Sequence, residues 1–200
     1  MGPISDANEH GSVSMAEECR ARECIALLRG LRAVRQFRPE PVPDAVVRDI
    51  LMVARWSGSA NNRQPWEIVV VRDRQTLQAL ASAEGYAGHL AGAALGMVLV
   101  MNGERPEMET FDEGRLSERI MLAAAAYGVG SCIGWFSGAG REQVKGILGI
   151  PGERLVRTAI SLGYPDEEAQ RARPRPAQAR KPLAQIVSYE RYGQRTASSP

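Results

Sequence analysis

One sheet packed among helices, in a single domain, is the fold class this sequence predicts, and three observations predict it. Stretches with apolar residues at helical spacing alternate with short apolar runs, in the order helix, helix, strand, helix, strand, helix, strand, helix, strand, tail. The 200 residues are 44% hydrophobic, enough to bury one core without disulfide staples. No internal repeat interrupts that order. Element order alone does not fix strand direction.

Residues 1–15 are polar with no apolar period and are excluded from the fold; the domain is assigned to 16–193, with 194–200 as a flexible C-terminus. A first helix is expected from Ala16 to Leu28, ending near Gly30. Three prolines then forbid a helix through LRAVRQFRPEPVPDA. Val47, Ile50, Leu51 and Ala54 form one buried stripe of a helix over Asp44–Trp56. Glu67–Val71, a short β-branched run, reads as a strand inside a sheet covered on both faces. Asp73 can cap a helix reaching Ala83, and Leu95–Met101 is a second buried strand. Leu116, Ile120, Ala123, Ala124 and Tyr127 place a helix over Gly114–Tyr127, with small residues that allow close packing. GVGSCIGWF gives a turn and third strand, Arg141–Leu148 a short helix, and Leu155–Leu162 the fourth strand. A charged, proline-rich connector follows, and PLAQIVSYERYG can form one terminal helix.

Charge and residue counts remove several function classes. Twenty-five basic and 23 acidic residues give a net charge of +2, too balanced for a general nucleic-acid binder. Cys19, Cys24 and Cys132 are odd in number and without paired spacing, and His10 and His89 lie apart from them. Neither a disulfide framework, a metal site nor a nucleophile–histidine pair is therefore expected, and a reducing, cytoplasmic compartment is the default. Ile120–Gly140 carries no charge, but five glycines and two serines interrupt it, so a buried helix, turn and strand is expected there and not a membrane span. The N-terminus has no secretory pattern.

Two constellations remain. Arg32, Arg35 and Arg38 sit in an irregular segment where side chains can converge on a phosphate; a solvated basic loop fits the same residues. RARPRPAQARKP carries the same ambiguity. The loop SGSANNRQPW precedes a strand with more hydrogen-bonding capacity than a turn requires. Asn62 and Gln64, two residues apart, can point both amides one way toward a polyhydroxyl chain or a heterocycle edge. Trp66 suits a core anchor better than a stacking platform, and Cys132 a small buried hydrophobe better than a nucleophile. The glycines at 128, 130 and 134 follow a helix and have the wrong spacing for a dinucleotide fingerprint, and no phosphate-loop string occurs.

Taken in order, RAVRQFRPEPVP (32–43), ARWSGSANNRQPWEIVVV (54–71), RIMLAAAAYGVGSCIGWF (119–136), ISLGYP (160–165) and ARKPLAQIV (179–187) resemble the FMN-dependent nitroreductase family, over about residues 25–190. The resemblance implies an α+β fold whose central sheet is mixed but mostly antiparallel, of about four strands, with a tail strand or helix exchanged with a partner subunit. It implies that Arg32, Ala33 and Arg35 meet the FMN phosphate region and that Arg180 or Lys181 completes it. Ser59, Asn62 and Gln64 would meet the ribityl chain and ring, commonly from the partner, while Cys132, Ile133, Gly134 and Trp135 lay backbone along the isoalloxazine. Leu31 and Ala33 stand where the family often has Arg and Ser, and Ser57-Gly58-Ser59 where it has Ala-Pro-Ser, which implies weaker FMN binding and a looser loop entrance.

The implied activity is an FMN-dependent NAD(P)H oxidoreductase, with NAD(P)H as co-substrate and a nitroaromatic, quinone or similar small acceptor, turning over in two alternating half-reactions. No protein acid–base pair is needed, because the flavin carries the electrons. The implied assembly is a homodimer with FMN at the interface and with no nucleic-acid or membrane partner. The alternative is a flavin-binding protein without NAD(P)H turnover, whether scavenger, regulatory module or specialised oxidase. Glu104–Gly114, carrying Met108 and Phe111, is either a lid over the ring or a plain surface connector.

Overall fold

The structure is a computed structural model and describes residues 14–172 and 180–195. The chain divides into two compact units, residues 1–170 and 171–200.

The first unit is built on four strands: β1 (Trp66–Val71), β2 (Leu95–Met101), β3 (Gly130–Trp135) and β4 (Leu155–Gly163), in the order β1-β2-β4-β3. All three pairings are antiparallel. The expected mixed character is confined to one isolated parallel bridge, Ala33 to Ser131. β2 is buried along its whole length, and its two faces feed two cores. Leu95, Met97 and Leu99 pack with Ile50 and Ala54 of α2 (Asp44–Arg55) and with Leu116, Ile120 and Ala124 of α4 (Pro106–Ala126). Val98 and Val100 pack on the other face with Leu77 and Leu80 of α3 (Arg74–Ser82), Val144 of α5 (Gly138–Leu148) and Phe136. Each fully buried Leu or Ile stabilises this arrangement by ~1.5 to 3 kcal/mol relative to exposure.

Several expectations need correction. β1 does not lie inside a sheet covered on both faces; it is an edge strand, and Glu67 and Val70 face solvent. The first helix, α1 (Met15–Gly30), begins inside the excluded segment's boundary, because Ser14 and Glu17 form a reciprocal capping box. No residue of α1 is buried.

The segment 104–114 is not a plain surface connector but largely helix. With Pro106 in its first turn, α4 starts eight residues before Gly114, and its acids turn inward. Glu109 accepts from the N–H groups of Gly103 (2.8 Å) and Arg105 (3.0 Å), and Asp112 from that of Ala60 (3.3 Å). Glu113 pairs with Arg157 of β4 at 2.7 Å, both side chains being buried. Buried carboxylates persist only with such donors, so charge alone misread this stretch as surface.

A short helix α6 (Glu167–Arg171) follows β4, and the second unit contains α7 (Leu183–Ile186), a four-residue helix and not the longer one expected. After it the Ser188 hydroxyl accepts from Gly193 N–H (3.1 Å) and Gln194 C=O from Tyr189 N–H (2.8 Å), closing a turn that ends the helix. The described helices include none long and apolar enough to cross a membrane.

Candidate functional site

The arginine segment is draped over one end of the sheet by its apolar residues. In RAVRQFR, Val34 is buried and Phe37 half-buried, while Arg32, Arg35 and Arg38 point out. Val34 N–H donates to Ser131 C=O (2.8 Å), and Arg38 N–H to Tyr164 C=O (2.9 Å). Two glycines make room for the anchors. A Cβ on Gly130 would lie 2.7 Å from Val34, and one on Gly163 would lie 2.9 Å from the Phe37 ring.

The three arginines are not equivalent. Arg32 donates from Nη1 to the carbonyls of Arg29 (2.8 Å) and Leu31 (2.7 Å), serving the C-terminus of α1. Arg38 pairs with Glu40 (3.2 Å) and stacks over Tyr164. Arg35 is exposed and makes no hydrogen bond or ion pair with a described residue. Beside Arg32 lies a groove of about 320 Å³, lined mostly by apolar residues such as Leu27, Leu31, Val34 and Val129 with Arg32 and Ser131 as its polar side chains. Ser131 Oγ is buried there without a hydrogen-bond partner among the described residues. Sequence reading missed this hydroxyl, which only the Ala33 bridge brings beside the arginines.

From Ser131 the outer edge of β3 runs onward. Since Ser131 C=O points outward to Val34, strand alternation turns Ile133 and Trp135 outward as well. Trp135 C=O accepts from Tyr86 N–H (2.6 Å). Ile133 is left between them with its backbone facing an opening in the edge, and its side chain is exposed. Cys132 is buried, as expected, and Gly134 faces Ala87 and His89, where a Cβ would meet Ala87 at 3.0 Å. Behind the strand, His89 Nδ1 lies 2.7 Å from Ser161 Oγ, which donates to Cys132 C=O (3.3 Å). His89 and Ser161 are 72 residues apart, so no local signal joined them.

Ser59, Asn62 and Gln64 lie elsewhere. Their loop enters β1, at the sheet edge opposite β3, so one chain does not bring the two halves of the predicted cradle onto one edge. The loop is not extended: Asn61, Asn62 and Gln64 all have positive φ (53°, 54° and 48°), which removes the simple alternation expected for Asn62 and Gln64. Ser59 Oγ accepts from Gln64 N–H (2.9 Å), and the Gln64 amide donates to Asn62 C=O (3.2 Å). The Asn62 amide group makes no hydrogen bond with a described residue and is exposed. At the entrance, Gly58 leaves space for Arg115, whose Nη2 lies 2.1 Å from where a Cβ would be, and Asp112 holds Ala60 N–H. Arg180 and Lys181 are exposed residues of the second unit. Among the described residues, no group of three or more His, Cys, Asp or Glu is placed to hold a metal ion.

A family model described as the nitroreductase family matches residues 28–95, which include both the arginine segment and the polar loop. A protein of Archaeoglobus fulgidus with the provisional name NADH dehydrogenase/NAD(P)H nitroreductase is 31% identical over 154 residues, covering 73% of this chain and 87% of that protein. An NADH dehydrogenase of Thermus thermophilus is 32% identical over 174 residues, covering 68% and 84%. Among solved structures, the FMN-dependent nitroreductase NfnB from Mycobacterium smegmatis in complex with NADPH is similar in fold, with a TM-score of 0.74 at 24% identity, covering 86% of this chain and 100% of that one.

Proposed function

The chain belongs to the nitroreductase family, and we propose that it is an FMN-dependent oxidoreductase that uses NAD(P)H to reduce a small oxidised acceptor such as a nitroaromatic or quinone. The observation that carries this reading is the opening at Ile133, an outward-facing backbone position with the arginine segment and an orphaned hydroxyl at one end and the exposed Trp135 ring at the other.

The residues present fit the cofactor. Arg35, with the free part of the Arg32 fork and the buried Ser131 hydroxyl, supplies donors for a phosphate. Ala33 adds backbone only, and Arg180 or Lys181 is the proposed further phosphate contact. The outward N–H of Ile133 is a fixed donor for a ring heteroatom, and Cys132, Gly134 and Trp135 hold that backbone in line. The chemistry that bound FMN supplies is two-electron transfer, from NAD(P)H in one half-reaction and to the acceptor in the next. The protein's own share is to bind, to orient and to leave one ring face open.

A homodimer completes the site in this reading. Ser59, Asn62 and Gln64 of one copy would reach the β3 edge of the other, because within one chain they lie on the wrong edge. Such an obligate interface buries more than ~2,000 Å² in total.

Denaturing the purified protein tests the cofactor: FMN in the supernatant is the expected result, and FAD or no flavin overturns the reading. Oxidation of NADH and NADPH with menadione or a nitroaromatic then separates an oxidoreductase from a flavin-binding protein without turnover. A monomer in sedimentation that keeps one FMN per chain would return Asn62 and Gln64 to their own subunit's site.

A further inference from the structure

We propose that Arg141, fixed over the exposed Trp135 indole, makes this a site for planar acceptors that carry an anionic substituent, an aromatic carboxylate above all. The inference rests on the flavin reading and specifies the acceptor of that site.

The guanidinium is held from two sides. Its Nε donates to Phe136 C=O (3.1 Å), and its Cζ stands 5.5 Å from the Trp135 ring centroid. A fork anchored by Nε leaves both Nη groups for a ligand, the geometry that a carboxylate accepts in bidentate fashion. Arg38, Arg72, Arg115, Arg154 and Arg157 each have a carboxylate within 4.0 Å, whereas Arg141 has none among the described residues. The acids around it are engaged: Glu84 accepts from Ser137 Oγ, and Glu142 pairs with Lys145 at 3.0 Å.

Position decides which molecule meets this cation. Trp135 lies four residues along β3 from Ser131, ~13 Å at ~3.3 Å per residue. A charge at that end is remote from the groove beside Arg32 and adjacent to the opening at Ile133. Trp135 is 39% exposed and Tyr86, whose N–H grips Trp135 C=O, is 81% exposed. An accessible ring beside a guanidinium suits a flat, negatively charged aromatic better than a neutral one. The 2′-phosphate of NADPH offers the same kind of anion, and the test separates the two sources.

Benzoate and benzamide are titrated calorimetrically into the FMN-loaded protein. Benzoate should bind about tenfold tighter, the difference one charge-assisted contact supplies. The preference should shrink as salt rises to about 0.5 M, because a half-exposed pair is partly screened. It should fall to near parity in Arg141→Gln and be partly retained in Arg141→Lys. In turnover, the kcat/KM ratio of 4-nitrobenzoate to 4-nitrobenzamide should drop in Arg141→Gln by a similar factor, chiefly through KM. Equal binding of benzoate and benzamide by the FMN-loaded parent overturns the proposal and leaves the flavin reading intact. So does an Arg141→Gln variant that keeps the benzoate preference, or one that changes the KM of NADPH and not that of NADH while leaving the acceptor ratio untouched. Absence of FMN from the parent is a failure of the flavin reading itself.

Discussion

The arginine segment 31–38 and the polar loop 57–65 are both irregular, both rich in hydrogen-bonding side chains, and held by opposite means. The first is pinned by apolar side chains: Val34 and Phe37 sit where Gly130 and Gly163 have no Cβ, and its cations ride on those anchors. The second has no such anchor before Pro65. Its shape depends on the Ser59–Gln64 hydrogen bond, on Asp112 reaching across from α4, and on three non-glycine residues in the left-handed region. One segment is therefore held by side-chain burial, while the other is held by a few hydrogen bonds against the cost of three left-handed residues.

Substitutions can break or sharpen this contrast. The largest effect is expected from Phe37→Ala, which should cost about 3 kcal/mol in urea unfolding, the low end for a Phe truncation because the ring is only half-buried. If stability is unchanged, the apolar anchoring of the first segment is wrong. Arg35→Ala should weaken FMN by roughly ten- to hundredfold, the ~1.5 to 3 kcal/mol of a charge-assisted contact, and leave the melting temperature of the apoprotein nearly unmoved. Equilibrium dialysis of FMN together with a thermal melt reads both. Gly130→Ala forces a methyl against Val34 and should cost ~1 to 3 kcal/mol, with a matching loss of FMN as the segment lifts. The smallest effect belongs to the loop: Asn61→Ala should destabilise by about 1 kcal/mol and Asn61→Gly by much less, since only the former is penalised at positive φ. Equal melting points for the two would remove the strain from the comparison.

What was legible in the sequence follows a physical line. The strands and the helices α2, α3 and α5 announce themselves through periodicity, and their positions agree with expectation to within a few residues. The α4 start did not, because Glu109, Asp112 and Glu113 are paired with donors 4 to 52 residues away and look like surface until those donors are in place. β1 looked interior because Ile-Val-Val-Val is as apolar as a central strand, yet edge or centre is decided by neighbours. For the candidate site, the motifs single out Arg35 and the β3 backbone as proposed contacts. The Ser131 hydroxyl, His89 with Ser161, and Arg141 over Trp135 could not be named from them, since each arises from a contact between elements distant in sequence.

The opening at Ile133 has one more consequence, for how the molecule avoids sticking to itself. An unpaired strand edge is a template on which other chains add, and several consecutive free positions are needed for a stranger to grip. Here the Ala33 and Val34 backbone covers Ser131 and the Tyr86 backbone covers Trp135, so between them one outward residue, Ile133, whose C=O accepts from the Cys132 thiol (3.4 Å), has no other backbone segment against it. That gap is too short to seed a growing sheet. The same two clasps that bound the opening thus act as guards against fibril growth, and deleting either should be felt first as aggregation on expression.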